Sequence, residues 1–221
     1  KEHPGFLLYG LAKTLLKNLK EHLLKASMQL HLVSFKPKEV FVSIEKLKEI
    51  GYTKDAFGED LVRDDQILEL KPHDILLPSS SESPERADNV FIKICNFIDE
   101  LLVRFYGVKP FYNVKKREDL VGKLGVVMAP HNCAGVVCRI IGFSNTLGLF
   151  ASPYMHAAIR RDCDGDEAAL MLLGDVLLNF SREFLPSHRG GTQDAPLVLN
   201  ARINAGEVDD QILDFGLVNE Y

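Results

Sequence analysis

Apolar and polar positions follow two rhythms along the chain, and together they predict a mixed, strand-rich α+β architecture. From Phe6 to Leu24, Leu8, Leu11, Leu15, Leu19 and Leu23 recur at helical spacing while Lys13, Lys17 and Lys20 fill the other face, which predicts an amphipathic helix. Such a helix packs on its own core more often than on a missing domain or a membrane surface. Leu30 to Phe41 and Gln66 to Leu77 are rich in β-branched and apolar residues and predict sheet segments. They bracket a short helix from about Ser43 to Ile50 that stops at Gly51. The stretch 78–84 is a serine- and proline-rich linker, after which Ser83, Pro84 and Glu85 predict an N-cap and first turn. The helix that follows carries Phe91, Ile94, Ile98, Leu101, Leu102 and Phe105 on one stripe, expected to face the core.

Leu120 to Ala129 and Gly135 to Phe143 are Val- and Ile-rich runs of the length of buried strands, separated by a turn at 130–134. A further turn is expected at Ser152 and Pro153, an apolar helix from Ala168 to Phe184, and a strand from Pro196 to Ile203. The chain therefore divides into an N-terminal amphipathic helical segment, 1–29, and a main domain, 30–221, with a helical insertion at about 84–106.

The densest chemistry lies at Arg160, Arg161, Asp162, Cys163, Asp164, Gly165, Asp166 and Glu167. In an extended or tightly turned backbone, residues two apart point the same way, so Asp162, Asp164 and Asp166 converge while Gly165 permits the bend. Three like charges so placed call for a cation. Oxygen donors without a histidine cluster favour Mg²⁺ or Ca²⁺ over zinc, and Mg²⁺ takes one or two carboxylates and fills its shell with water and substrate phosphate. An EF-hand loop fits poorly, because the positions that need Gly and Glu hold Glu167 and Leu173. An acidic turn that merely caps the following helix stays open as the bland alternative; in either case the positive end of that helix would help keep the carboxylates ionised. Arg160 and Arg161 suit phosphate oxygens, or pair with the carboxylates themselves. Farther on, Ser187 to Thr192 is a basic glycine-containing turn in which Arg189 is a second phosphate fork. His131 and His156 flank the acidic region and are expected to be structural.

Composition changes this picture little. At 221 residues and 46% hydrophobic content there is enough apolar side chain for a core. A net charge of −5 argues against a protein that coats nucleic acid electrostatically, and leaves open a fragment whose basic partner surfaces lie elsewhere. The four cysteines, Cys95, Cys133, Cys138 and Cys163, form no Cys-x-x-Cys pair and are expected to be reduced thiols without zinc. With no signal-like or membrane-spanning stretch, the expected location is the cytoplasm.

Several of these segments coincide in order and spacing with one family: Phe35 to Glu39, Phe97 to Gly107, His156 to Ala158 running into 160–167, Asn179 to Arg182, Arg189 to Gly191, and Asp194 to Leu197. From about Phe35 to the C-terminus the chain resembles the catalytic part of the large subunit of the archaeal family D DNA polymerases. The resemblance implies a double-psi β-barrel spanning 30–221, of the type shared with multisubunit RNA polymerases. It implies Asp164 and Asp166 as catalytic carboxylates holding Mg²⁺, with Asp162 a third metal ligand at a position where family D members often carry Asn. Arg160, Arg161 and Arg189 would meet primer or nucleotide phosphates. The implied activity is addition of deoxynucleotides to a primer 3′ end. The implied partners are primer–template DNA, dNTPs, the remaining large-subunit domains and a small proofreading exonuclease subunit, with no membrane. This chain would be a fragment or split form that needs those partners. The competing expectation is a non-catalytic assembly module that keeps the barrel; an RNA-synthesising relative is a third.

Overall fold

The computed structural model describes residues 24–26, 29–83, 85–129, 134–161, 166–179 and 198–203. Its centre is the eleven-residue strand β7, Ala134–Ser144, most of whose residues are buried on both faces. Strand β6, Leu124–Met128, lies antiparallel along one edge of β7, pairing Leu124 with Arg139 and Val127 with Val136. The opposite edge is shared end to end by two parallel strands. Strand β10, Val198–Asn200, pairs with 134–136, and β5, Asp74–Pro78, with 139–144. Parallel strands covered on both faces tolerate uniform apolar sequence, which is why Ile75, Leu76 and Leu77 are all buried.

From this centre the sheet extends both ways. Beyond β6 come β9, Ala168–Leu172, and β1, Leu24–Ala26; beyond β5 come β8, Leu149–Ala151, and β2, Gln29–His31. Among the described residues, β1 and β2 end the sheet and do not pair with each other, so it stays open. Two short strands, β3 at Ser34–Phe35 and β4 at Leu68–Glu69, form a separate ribbon.

A bulge between Ile75 and Leu76 skips Ile141, so that Leu76 pairs with Gly142. At that point the chain at Val40 presses on β7: Phe143 donates its backbone N–H to the Val40 carbonyl at 3.2 Å, and a Cβ on Gly142 would lie 2.9 Å from Val40 Cβ. Glycine is required there for close approach.

Helix α1, Ile44–Glu49, follows the expected signals: Ser43 Oγ accepts from the Lys46 N–H, and Gly51 takes φ +96° just past the end. Helix α2, Ala87–Arg104, starts later than expected. Arg86, not Ser83, stands at its N-cap, and its guanidinium grips Asp88 at 2.6 Å in place of a side-chain cap. On the expected core stripe Phe91, Ile94 and Ile98 are buried, but Phe105, just past the helix end, is 51% exposed. Ser152 and Pro153 do more than turn the chain, since they are the N-cap and first residue of helix α3, Pro153–Ile159.

The largest difference lies after the acidic motif. Residues 168–172 form strand β9, and only Leu173–Asn179 is helical, as α4. A uniformly apolar run satisfies both periods, and the open slot between β1 and β6 selects the strand. Among the described residues the chain after Asp166 enters a strand, so the helix end expected directly behind the acidic motif begins only at Leu173. The helix expected from Phe6 to Leu24 lies outside the described residues except for Leu24, which begins β1. Among those described, no helix is long and apolar enough to cross a membrane.

Candidate active site at the junction of α3 and β9

The acidic motif joins the end of α3 to the start of β9, and the fold fixes both ends. At its start, Ser152 Oγ accepts from the Met155 N–H at 3.2 Å and donates to the Pro72 carbonyl at 3.0 Å, tying the helix to the chain entering β5. That chain is itself anchored to β7: the Arg139 N–H donates to the His73 carbonyl at 2.8 Å, and His73 Nδ1 lies 2.7 Å from the Val137 carbonyl.

Beside it sits a buried ion pair. Arg139 donates from Nε to Asp74 Oδ1 at 2.8 Å, from Nη2 to Asp74 Oδ2 at 2.7 Å, and from Nη1 to the Ile50 carbonyl at 2.7 Å. Tyr52 Oη donates to Asp74 Oδ2 at 2.5 Å. The hydrogen bonds to Asp74 hold the Arg139 guanidinium even more firmly protonated, while burial first and the Asp74 charge second raise the Tyr52 hydroxyl well above the usual phenol range. This clamp joins residues 65 apart in sequence, and no local pattern announces it.

At its other end α3 stops at Arg160, which takes the left-handed conformation, φ 57° and ψ 50°. The N–H groups of Arg160 and Arg161 close the last turn on the Ala157 and His156 carbonyls, both at 3.0 Å. Glycine or asparagine is the usual residue at such a cap, and a long side chain there costs about 1 kcal/mol of backbone strain. His156 is fully buried. His131 lies outside the described residues.

Arg161 and Asp166 bound the motif, and Arg161 Nη1 donates to Asp166 Oδ2 at 2.9 Å. The ion pair brings the two ends of the segment together. Of the two roles open to Arg161, carboxylate pairing is the one seen; Arg160 is exposed and belongs to no ion pair among the described residues. Arg161 Nε is buried without a hydrogen-bond partner among the described residues, a donor that an added acceptor oxygen would satisfy. Asp162 and Asp164 lie outside the described residues, as does Arg189. Among the described residues no cluster of three metal-ligating side chains occurs. Asp166 nevertheless fits a hard cation: the carboxylate is one-third exposed and only one of its oxygens accepts a described hydrogen bond.

One functional-looking residue escaped the motif reading. Asp99, inside α2, accepts the backbone N–H groups of Phe111 and Tyr112 on Oδ1, both at 2.8 Å, and of Asn113 on Oδ2 at 2.7 Å. The acceptor lies more than ten positions before the amides it binds, which is why short-range spacing did not reveal it.

With this arrangement in hand, the relatives are informative. Over residues 22–221 the chain matches the family described as DNA polymerase II large subunit DP2, catalytic domain, and so from further upstream than Phe35. It is 52% identical over 192 residues to the DNA polymerase II large subunit of Archaeoglobus fulgidus, covering 87% of this chain and 16% of that protein. Identity to the subunit of the same name is 49% over 190 residues in Pyrococcus furiosus (86% and 15% covered) and 51% over 185 residues in Methanothermobacter thermautotrophicus (84% and 16%). The chain thus spans about one sixth of the length of these relatives. A match of that extent and identity means that the chain belongs to the family of DNA polymerase II large subunit catalytic domains.

Proposed function

We propose that this chain is the catalytic barrel of a DNA-directed DNA polymerase, acting with further domains and subunits on primer–template DNA and dNTPs. The observation that carries the reading is the Arg161–Asp166 pair, which draws together the two ends of the acidic segment holding Asp162 and Asp164 in a chain of this family. The mixed parallel and antiparallel pairing around β7, with two strands end to end on one edge, supports a double-psi barrel that the full assembly would complete.

Asp164 and Asp166 would hold Mg²⁺, with Asp162 beside them. Bound there, the ion would favour the ionised form of a primer hydroxyl and offset charge on the phosphates. Asp166 presents a carboxylate oxygen free of described hydrogen bonds, while Arg161 keeps the other in place and its charge balanced before substrate arrives. Arg160, held outward by the turn at the end of α3, and Arg189 would meet phosphate oxygens, for which guanidinium forks are suited. No side chain needs to act as a covalent nucleophile. The remaining large-subunit domains and a small proofreading exonuclease subunit would supply the surfaces that this chain lacks.

The same ion pair also favours a second reading, since Arg161 balances Asp166 without any metal. In that reading the chain is a non-catalytic assembly module. Primer extension separates the two, with this chain alone and mixed with the remaining large-subunit domains and the small subunit, in parallel with D164N/D166N. Extension that requires Mg²⁺ and the partners, and vanishes in the folded double variant, is the expected result. Full activity in that variant would leave only the structural module.

A further inference from the structure

Every residue from Val103 to Phe111 is exposed, and the set includes Phe105, Tyr106, Val108 and Phe111, the last 68% exposed. So much aromatic surface on one short segment marks a contact site. The segment is held firmly. Its start is the last turn of α2, where the Val108 N–H returns to the Leu102 carbonyl at 3.0 Å after Gly107 turns the chain at φ +66°. Its end is fixed by the three N–H groups that Asp99 accepts, and by buried Tyr112, whose Oη accepts the Gly174 N–H at 2.9 Å. Phe105 and Tyr106 stack edge to face at 5.1 Å, as do Phe111 and Tyr112 at 5.0 Å.

The charge within the segment itself has one sign, with Asp99 and Glu100 before it and Glu118 and Asp119, the latter bound to the Lys115 and Lys116 N–H groups, after it. From 101 to 117 the chain has no acidic residue and carries Arg104, Lys109, Lys115, Lys116 and Arg117, in a protein whose net charge is −5. Arg117 lies over the Phe41 and Phe143 rings and serves the fold. The neighbouring carboxylates are engaged, Asp99 by backbone N–H groups and Glu100 by Arg104 at 3.1 Å. A partner that offers both flat apolar faces and a regular row of negative charge matches this surface, and unpaired bases on a phosphate backbone have both.

We propose that the segment 103–116 is a binding surface for single-stranded nucleic acid, with bases stacking on Phe105 and Phe111 and phosphates meeting Lys109, Lys115 and Lys116. The inference rests on the polymerase reading only for the identity of the strand, a template or primer portion away from the reacting end. Asp166 and Gly174 flank opposite ends of β9, whose five residues span about 17 Å. That is roughly five base steps at about 3.4 Å each.

The test is fluorescence anisotropy of a labelled oligodeoxynucleotide with the 221-residue chain, in EDTA so that metal at the acidic motif plays no part. F105A/F111A, at exposed positions, should keep the wild-type melting temperature and bind single strands about tenfold more weakly or worse. K115Q/K116Q should lower the slope of log affinity against log salt by about 1.4, at about 0.7 per phosphate contact on a single strand. The assay in EDTA reads neither metal binding nor extension, which keeps failure of this inference apart from failure of the catalytic reading. Unchanged single-strand binding in F105A/F111A overturns the inference, as does an equal loss on blunt duplex, where no base face is open. Release of a protein component by F105A/F111A with single-strand binding intact overturns it too, and makes the surface a protein interface. A wild-type chain that binds no single strand refutes it as well.

Discussion

Replacing Arg139 by methionine tests the frame beneath the candidate site. Asp74 is 2% exposed and takes two of its three described hydrogen bonds from Arg139 and the third from Tyr52. In R139M the carboxylate stays buried with the tyrosine alone, and the Ile50 carbonyl loses its donor. Stranding one member of a buried ion pair costs about 3–5 kcal/mol. With a urea slope of about 2 kcal/mol/M, that loss moves the unfolding midpoint down by roughly 1.5–2.5 M. The double variant D74L/R139M removes the stranded charge and should recover part of the loss. The recovery is incomplete, because the Tyr52 O–H then lacks its acceptor, although its oxygen keeps the Lys71 N–H at 3.3 Å, and the Ile50 carbonyl lacks its donor, at about 1–3 kcal/mol each if they stay dry. The assay is equilibrium urea unfolding of the four proteins of the cycle, accepted only if the slope is unchanged. A midpoint shift in R139M below about 0.5 M, or a double variant less stable than R139M, would refute the view that a desolvated carboxylate is what Arg139 neutralises.

Three other outcomes follow from the same geometry. R160G should leave the fold intact or stabilise it by up to about 1 kcal/mol, since glycine takes the left-handed cap without strain; if the side chain meets phosphate, primer extension falls while the melting temperature holds or rises, and a drop of several degrees would make Arg160 structural. D99A should cost about 1–3 kcal/mol, because water reaches the exposed Phe111 and Asn113 amides and offsets part of the loss; faster hydrogen exchange at the amides of 111–113, with α2 still protected, is the expected signature. Burial pushes the Cys95 thiol from the ordinary 9.0 up to about 12. Below pH 9 the thiol is protonated in both states, whereas between 9 and 12 only the unfolded chain releases the proton, so the contribution to stability is lost as pH rises through that window. Unfolding midpoints at pH 8, 10 and 11 should show C95A with a shallower decline than wild type, and identical slopes would contradict the burial of this thiol. Cys138, Tyr52 and Tyr112 are raised in the same direction, so the variant lessens the decline without abolishing it.

Local sequence determined the features whose causes are local. The cap at Ser43 and the stop at Gly51 follow from side-chain and backbone preferences within a few residues, and β6 and β7 follow from short Val- and Ile-rich runs. The order and spacing of the acidic motif and its flanks were enough to indicate the family, because metal and phosphate chemistry demands particular residue types at short separations. Tertiary structure decided the rest. Whether 168–172 is helix or strand depends on the slot between β1 and β6, which a uniformly apolar run of five residues cannot specify. Whether Arg161 meets a phosphate or a carboxylate was equally open in sequence, and the turn at the end of α3 sets it 2.9 Å from Asp166. The bonds from Asp74 to Arg139 and from Tyr112 to Gly174 join residues more than sixty positions apart, where only the path of the chain brings donor to acceptor. The end of the apolar stripe leaves the core at Phe105 for the same reason: periodicity selects the face of a helix, but how far that face stays covered depends on the elements packed against it.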